Sequence, residues 1–248
     1  MWRLIVLGHV STSVFVVYCE TNNRNRTPYF LRRLESGNRV MSLTKKPPSV
    51  VYWLGNNLYL NITNECSNNC YYCFRRYKSG IDGFNLQLLR EPSTKEVIQK
   101  LQKVSNRKNW NEIVFCGFGE PTERLNCILE VTSWVKKHSV KVVRIDTNGH
   151  GYLLNPGREV IRELKEAGVD KVSVSLNAHN EATYIDVCKP NFKNAFEGVL
   201  KFIEDASKEF NVEITTITIP EVDIPKVREM ARKMGVAFRI REYIPCFW

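Results

Sequence analysis

Leu58-Tyr59-Leu60-Asn61-Ile62-Thr63 runs directly into Asn64-Glu65-Cys66-Ser67-Asn68-Asn69-Cys70-Tyr71-Tyr72-Cys73. The first half reads as a strand, with apolar residues alternating and β-branched residues at its end. The second half puts three thiols within eight residues, spaced Cys-x3-Cys-x2-Cys. Thiolates are soft ligands suited to iron–sulfur clusters or zinc. Three on one short loop would grip three irons of a [4Fe–4S] cube and leave the fourth iron without a protein ligand. A structural zinc site wants four protein ligands, and no fourth cysteine or histidine stands at ribbon spacing, although Cys116 could approach from the next strand. An electron-transfer ferredoxin would also want a fourth nearby cysteine.

Outward from this stretch, strand-like and helix-like periods alternate. Candidate strands are Asn57–Thr63, Glu112–Cys116, Lys141–Asp146, Lys171–Leu176, Val212–Ile219 and Val236–Arg241. Between them lie five helical stripes, of which Val97, Ile98, Leu101 and Val104 follow the capping box Ser93-x-x-Glu96. A stripe through Val160, Ile161 and Leu164 stops at Gly168. Six strands joined by five helices imply parallel pairing through right-handed crossovers. The expected fold is therefore α/β, a partial (β/α)6 TIM-like barrel, with its chemistry in the loops after the strand C-termini.

Composition bounds the reading further. The chain has 248 residues, 43% hydrophobic and 25% charged, with a formal net charge of +10. That balance excludes an acidic solvating protein and raises nucleic acid as a partner. Residues 1 to 50 carry eight basic residues against two acidic ones, and Lys45-Lys46-Pro47-Pro48 reads as an extended linker. Residues 1–49 are thus expected to form a basic, β-rich extension, and residues 50–248 the barrel; Met41 is an alternative start. The apolar stretch Leu4 to Tyr18 is interrupted by Gly8, His9 and Ser11 to Ser13, which argues for two short strands and against a membrane span or export signal. The eight cysteines lack the density of a secreted disulfide scaffold, so a reducing cytoplasm is expected.

The cysteine trio, with Tyr72 before the last thiol, resembles the signature loop of radical S-adenosylmethionine enzymes. The resemblance implies that the open iron binds the methionyl amino and carboxylate groups. Reductive cleavage would then give a 5′-deoxyadenosyl radical that abstracts a substrate hydrogen. Phe115-Cys116-Gly117-Phe118-Gly119-Glu120-Pro121-Thr122 is similar to the Gly-Gly-Glu-Pro element that receives the methionyl ammonium in this superfamily, with Phe118 in place of the first glycine. Glycine allows close backbone approach and a carboxylate satisfies a buried cation. Read alone, Gly-Glu-Pro-Thr could simply start a helix.

The resemblance extends cofactor contacts to Tyr72, Gly117, Gly119, Glu120, Asn148, Ser175 and Asn177, and cluster ligation to Cys66, Cys70 and Cys73. Ser173, Ser175 and Asn177 alternate on one face of a strand, where polar groups in a barrel need partners. Leu58 to Asn64, Phe115 to Thr122, Val172 to Ala178 and Tyr184-Ile185-Asp186-Val187-Cys188-Lys189-Pro190 resemble the TatD-linked radical SAM proteins, whose substrate the resemblance does not supply.

Other readings stay open. Cys188, expected in a loop after the fourth strand, either faces substrate or is a half-buried thiol. Arg239 and Arg241 either face the mouth and bind an anionic substrate or belong to a solvated edge. His9, His138, His150 and His179 lack ligand spacing and are expected at the surface. Cys19, Cys127 and Cys246 have no assigned role, and the tail Ile244 to Trp248 would cap the barrel or dock a partner. The partners expected are an unidentified substrate and a flavodoxin- or ferredoxin-type electron donor, with no membrane. A glycyl-radical-activating, deazapurine-forming or RNA-modifying radical SAM enzyme is the alternative within the same chemistry. A zinc or nucleic-acid-binding module is the non-enzymatic alternative.

Overall fold

The computed structural model describes residues 46–243 in full and, before them, the backbone of three strands. Met41, His9, the tail Ile244 to Trp248 and the side chains of Cys19 and Cys246 lie outside the described residues. The chain divides into two compact units, Met1–Pro47 and Pro48–Trp248.

In the first unit, β1 (Leu4–Val6), β2 (Val14–Glu20) and β3 (Arg26–Arg32) form an antiparallel meander. The first two occupy the stretch Leu4 to Tyr18 where two short strands were expected, β2 running two residues beyond it; the third, an arginine-bearing stretch with a proline at position 28, was not singled out within the β-rich extension.

The second unit opens with an antiparallel hairpin, β4 (Val51–Leu54) and β5 (Asn57–Leu60). A small hairpin, β6 (Gly80–Ile81) and β7 (Phe84–Asn85), follows the cysteine loop. Then come α1 (Thr94–Ser105), β8 (Glu112–Phe115), α2 (Leu125–His138) and β9 (Val142–Thr147). The short α3 (Gly151–Leu154) and α4 (Val160–Ala167) lead to β10 (Lys171–Ser175). After α5 (Glu181–Cys188) and α6 (Ala195–Glu209) the chain closes with β11 (Asn211–Ile217), α7 (Ile224–Lys233) and β12 (Ala237–Arg241). The strands assemble in the order β12-β11-β10-β9-β8-β5-β4, all parallel except β4. This is the six-unit partial barrel, edged by one antiparallel strand.

Local sequence explains the helix ends. Ser93 and Glu96 close a reciprocal capping box on α1. Gly168 ends α4 at φ +101°, a left-handed conformation that favours glycine. Asp223 caps α7 by accepting from the Lys226 amide, with Pro225 in the first turn.

The helix-covered face of the sheet is apolar: Val143, Ile145, Val172, Val174, Val212 and Ile214 are all buried. The alternate residues point into the barrel, and there charge replaces the usual aliphatic layers. Glu112 pairs with Arg144 at 3.4 Å and Lys171 at 2.8 Å, Arg144 with Asp146 at 3.0 Å, and Glu213 with Arg239 at 2.8 Å. β8 and β12 stand four strand spacings apart, about 19 Å in a flat sheet. Inner-face side chains reach across an intervening strand, Lys171 on β10 to Glu112 on β8 at 2.8 Å and Arg241 on β12 to Asn177 after β10 at 2.9 Å, as in the curled sheet of a partial barrel.

One expectation about the chain path is corrected. Cys188 is the last residue of α5 and fully buried, rather than part of an open loop. Asn180 nucleates α5 by accepting from the Thr183 amide. The helix escapes a periodicity search because Tyr184, Val187 and Cys188 are buried while Ile185 is half exposed, which leaves no clean stripe.

Candidate active site at the barrel mouth

The cysteine loop leaves the C-terminal end of β5 and is stitched to its surroundings on both flanks. Toward β8, the Gly119 amide donates to Thr63 O at 2.9 Å and the Glu120 amide to Glu65 O at 2.7 Å. Toward α5, Asn69 N donates to Cys188 O at 3.0 Å, Tyr71 N to Val187 O at 3.3 Å, and Asn191 N to Ser67 O at 2.9 Å. Within the loop, Arg76 donates to Cys70 O at 2.9 Å and Arg75 to Asn64 O at 2.7 Å. These bonds hold the turn that presents Cys66, Cys70 and Cys73, all three partly exposed.

Glycine at 117 and 119 has a purely steric reason. A Cβ on Gly119 would lie 2.2 Å from Glu65 O and 2.8 Å from Thr63 O. A Cβ on Gly117 would lie 2.2 Å from Asn61 Oδ1 and 2.7 Å from Asn61 Cα. Both positions therefore serve the close approach of the β8 segment to the cysteine loop and its strand. Phe118, where the family pattern has glycine, turns its ring edge-on to Phe74, 5.8 Å between centroids, with Arg75 stacked over it.

Glu120 is 3% exposed. Its Oε1 accepts from Thr122 N at 3.0 Å, Thr122 Oγ1 at 2.7 Å and Thr147 Oγ1 at 2.7 Å, while Oε2 accepts from Asn148 N at 2.6 Å. Burial raises its pKa, against these hydrogen bonds, which lower it. The carboxylate thus clamps the end of β9 to the Pro121 turn, and its less occupied oxygen is Oε2.

Asn148 leads from Glu120 back to the thiols. Its Nδ2 donates to Ser67 Oγ at 3.0 Å and lies 3.9 Å from Cys66 Sγ. Ser67 Oγ meets His150 Nδ1 at 2.8 Å, His150 Nε2 meets Tyr184 OH at 2.9 Å, and Asn68 Nδ2 donates to the same hydroxyl at 3.2 Å. His150 was expected at the surface; it is instead fully buried and spans two hydroxyls, and burial lowers its pKa to about 4. No ligand spacing marks it because its partners come from residues 67 and 184, far away along the chain. His138 is exposed and His179 partly so.

The remaining site residues line the other side of the mouth. Asn177 is buried and accepts from Arg241 at 2.9 Å, while Ser175 is partly exposed one row below. Tyr72 is buried with its hydroxyl 3.4 Å from Cys188 Sγ, so it meets α5. The neighbouring Cys188 thiol lowers the Cys70 pKa to about 7. Cys116 does not join the trio as a zinc ligand would; its electrostatic neighbours are Asp146, Arg144 and Arg241, and burial raises its pKa to about 12.

The donor set discriminates between metals. Among the described residues no three His, Cys, Asp or Glu side chains converge tightly enough to hold a single ion. A tetrahedral zinc does not suit such a set. A polynuclear cluster that offers a separate iron to each thiol does. Burial and the nearby Glu120 carboxylate push the Cys66 thiol up to about 12, so a cationic partner is what would keep it as a thiolate. The residues present fit a cluster. A surface cavity of about 560 Å³ between α6 and α7, bordered by Glu197, Lys201 and Lys233, contains none of these residues.

Comparison with known proteins bears on the same elements. The Radical SAM superfamily model matches residues 60–234. The chain is 30% identical over 190 residues to the Methanocaldococcus jannaschii protein named "Probable GTP 3′,8-cyclase", covering 76% of this chain and 59% of that one. It is 29% identical over 189 residues to the Pyrococcus horikoshii protein of the same name, covering 76% and 55%. The chain thus spans less than two thirds of the length of these curated relatives. Among solved structures, TYW1 with a lysine-pyruvate adduct bound aligns with a TM-score of 0.56 at 17% identity, covering 78% of this chain and 66% of that one. Streptococcus suis SuiB bound to S-adenosylmethionine aligns with 0.56 at 14% identity, covering 76% and 39%. At those identities the likeness is one of fold. Among the described residues no helix is long and apolar enough to cross a membrane. With the family model spanning most of the barrel, the chain belongs to the radical SAM superfamily, enzymes that use a [4Fe–4S] cluster and S-adenosylmethionine.

Proposed function

We propose that the mouth of this barrel carries out hydrogen abstraction from a substrate bound above β10 to β12. The observation that carries the reading is the Cys66-x3-Cys70-x2-Cys73 loop, stitched by two backbone hydrogen bonds to the segment bearing buried Glu120. Cys66, Cys70 and Cys73 would ligate three irons. When bound, the reduced cluster and S-adenosylmethionine supply a 5′-deoxyadenosyl radical. Glu120 would take the methionyl ammonium on Oε2, its less occupied oxygen, and Asn148, Ser175 and Asn177 would meet the polar groups of the nucleoside. Gly117 and Gly119 would bring the segment that bears Glu120 close enough to the cysteine loop for cofactor contact, and Tyr72 holds the loop against α5. The fold supplies position and exclusion of water, and the cofactor the hard chemistry.

Residues 1–49 are an appendage to this catalytic body, and the electron donor is of flavodoxin or ferredoxin type. Free thiols in the ligand loop suit a reducing compartment, the cytoplasm. The motif resemblance favours the TatD-linked subgroup. The 30% identity to proteins named GTP 3′,8-cyclase favours a second reading, a purine nucleotide substrate.

Anaerobic reconstitution tests both. About four irons per chain, loss of iron in Cys66→Ala, Cys70→Ala and Cys73→Ala, and 5′-deoxyadenosine release on reduction are expected. One zinc per chain with no cleavage would end the proposal. Deuterium transfer from labelled GTP into 5′-deoxyadenosine supports the second reading; its absence with other labelled candidates active removes it.

A further inference from the structure

The inner faces of β8 to β12 carry four cations, Arg144, Lys171, Arg239 and Arg241, against three carboxylates, Glu112, Asp146 and Glu213. Three of the cations are matched. Arg144 lies against Glu112 and Asp146, Lys171 against Glu112, and Arg239 donates to Glu213 at 2.8 Å. Arg241 forms no ion pair among the described residues. One terminal nitrogen donates to the neutral amide oxygen of Asn177, and its Nε is buried without a hydrogen-bond partner. Arginine stays charged at any pH a protein survives, and a buried donor left unpaired costs stability. A bound ligand is one partner that can complete such a group.

Its position tells what kind of ligand. Arg241 is the last residue of β12, beside Ile217 of β11 in the top row of the inner face. Its hydrogen bond to Asn177, two residues past the end of β10, places the guanidinium at the C-terminal end of the barrel strands. The guanidinium therefore stands within the mouth, opposite the Glu120 side. With Nη2 oriented by Asn177 and its charge unmatched by a carboxylate, the guanidinium offers charge-assisted donors to a carboxylate or phosphate.

The geometry points to an oxyanion subsite built on Arg241, oriented by Asn177, which receives a carboxylate or phosphate group of the substrate. This assignment rests on the reading that the mouth is the site of radical chemistry, and it makes the substrate an anion. Arg239, equally plausible from sequence, is excluded because Glu213 already neutralises it.

The test is calorimetric titration of pyrophosphate, and in parallel of malonate, into the reconstituted holoenzyme. Saturable binding of either anion is expected, with the tighter of the two identifying phosphate or carboxylate. Arg241→Gln should weaken it at least tenfold. Arg241→Lys keeps the charge but not the fork, should weaken it about fivefold, and serves if the glutamine variant does not fold. Arg239→Gln should change it less than twofold. Equal binding by wild type and both Arg241 variants, or no binding by wild type, overturns the subsite. A tenfold loss of S-adenosylmethionine affinity in Arg241→Lys would assign the group to the methionyl carboxylate and overturn it too. Pyrophosphate binding is read without turnover, so it is separable from the parent reading. Arg241-dependent binding by a wild type that releases no 5′-deoxyadenosine removes the radical reading and leaves the subsite.

Discussion

Gly119→Ala is the perturbation that most directly interrogates the wall between the cysteine loop and β8. The added methyl would sit 2.2 Å from Glu65 O, 2.7 Å from Asn64 C and 2.8 Å from Thr63 O. All three are backbone atoms, which cannot rotate aside. The segments must separate, and with them go the hydrogen bonds from Gly119 N to Thr63 O and from Glu120 N to Glu65 O. Two such bonds contribute about 0.5–1.5 kcal/mol each, and overpacking adds roughly 1–3 kcal/mol. The sum is about 2–6 kcal/mol, or a drop in Tm of roughly 4–24 °C for a body of this size. Gly198→Ala on α6 is the control, since its new methyl meets only the Leu153 side chain. It should move Tm by no more than about 2 °C. Thermal melts under anaerobic conditions, paired with iron content after reconstitution, read both consequences. A Gly119→Ala protein that melts within 2 °C of wild type and takes up the same iron would refute the close approach.

Two further predictions concern pH. Burial raises the Asp146 pKa to about 6, against the opposing charges of Arg144, Arg239 and Arg241. A carboxylate raised on folding contributes stability below its unfolded pKa and loses it as pH rises through 6, so wild type should lose about 2–3 kcal/mol relative to Asp146→Asn between pH 4 and pH 7. Urea melts across that range that keep a constant difference would contradict it. For His150 the sign is reversed: its pKa falls to about 4, so its contribution is present above pH 6.5 and drains away as pH falls toward 4. His150→Gln should flatten that acid limb, and an unchanged limb assigns it to other groups. Tyr184→Phe removes the hydroxyl shared by His150 and Asn68 and should cost about 1–3 kcal/mol by chemical denaturation, without loss of iron; a neutral result would mean the hydroxyl is dispensable.

The barrel was legible because its strands and stripes obey local rules. Ser93 with Glu96, Gly168 and Pro225 mark helix ends within a few residues, and the strand periods depend on neighbours two positions apart. The cysteine trio and Glu120 were legible for the same reason, as short patterns at strand ends. What escaped is set by contacts distant in sequence. His150 is buried by Ser67 and Tyr184, and α5 carries no amphipathic stripe. The choice between Arg239 and Arg241, identical on a sequence line, is made by Glu213, which sits beside Ala237 in the register and within reach of only one of them.

The double stitching of the cysteine loop has a consequence for biogenesis. The flank toward β8 is available once residue 120 has been made, but the flank toward α5 needs residues 187 to 191. A nascent chain released near residue 170 holds all three cysteines and Glu120, yet lacks the α5 wall that fixes Asn69, Tyr71 and Ser67. Iron delivery during synthesis would meet a loop anchored on one side only. A loop held on both flanks therefore waits on the second half of the barrel rather than on the segment that carries Cys66, Cys70 and Cys73.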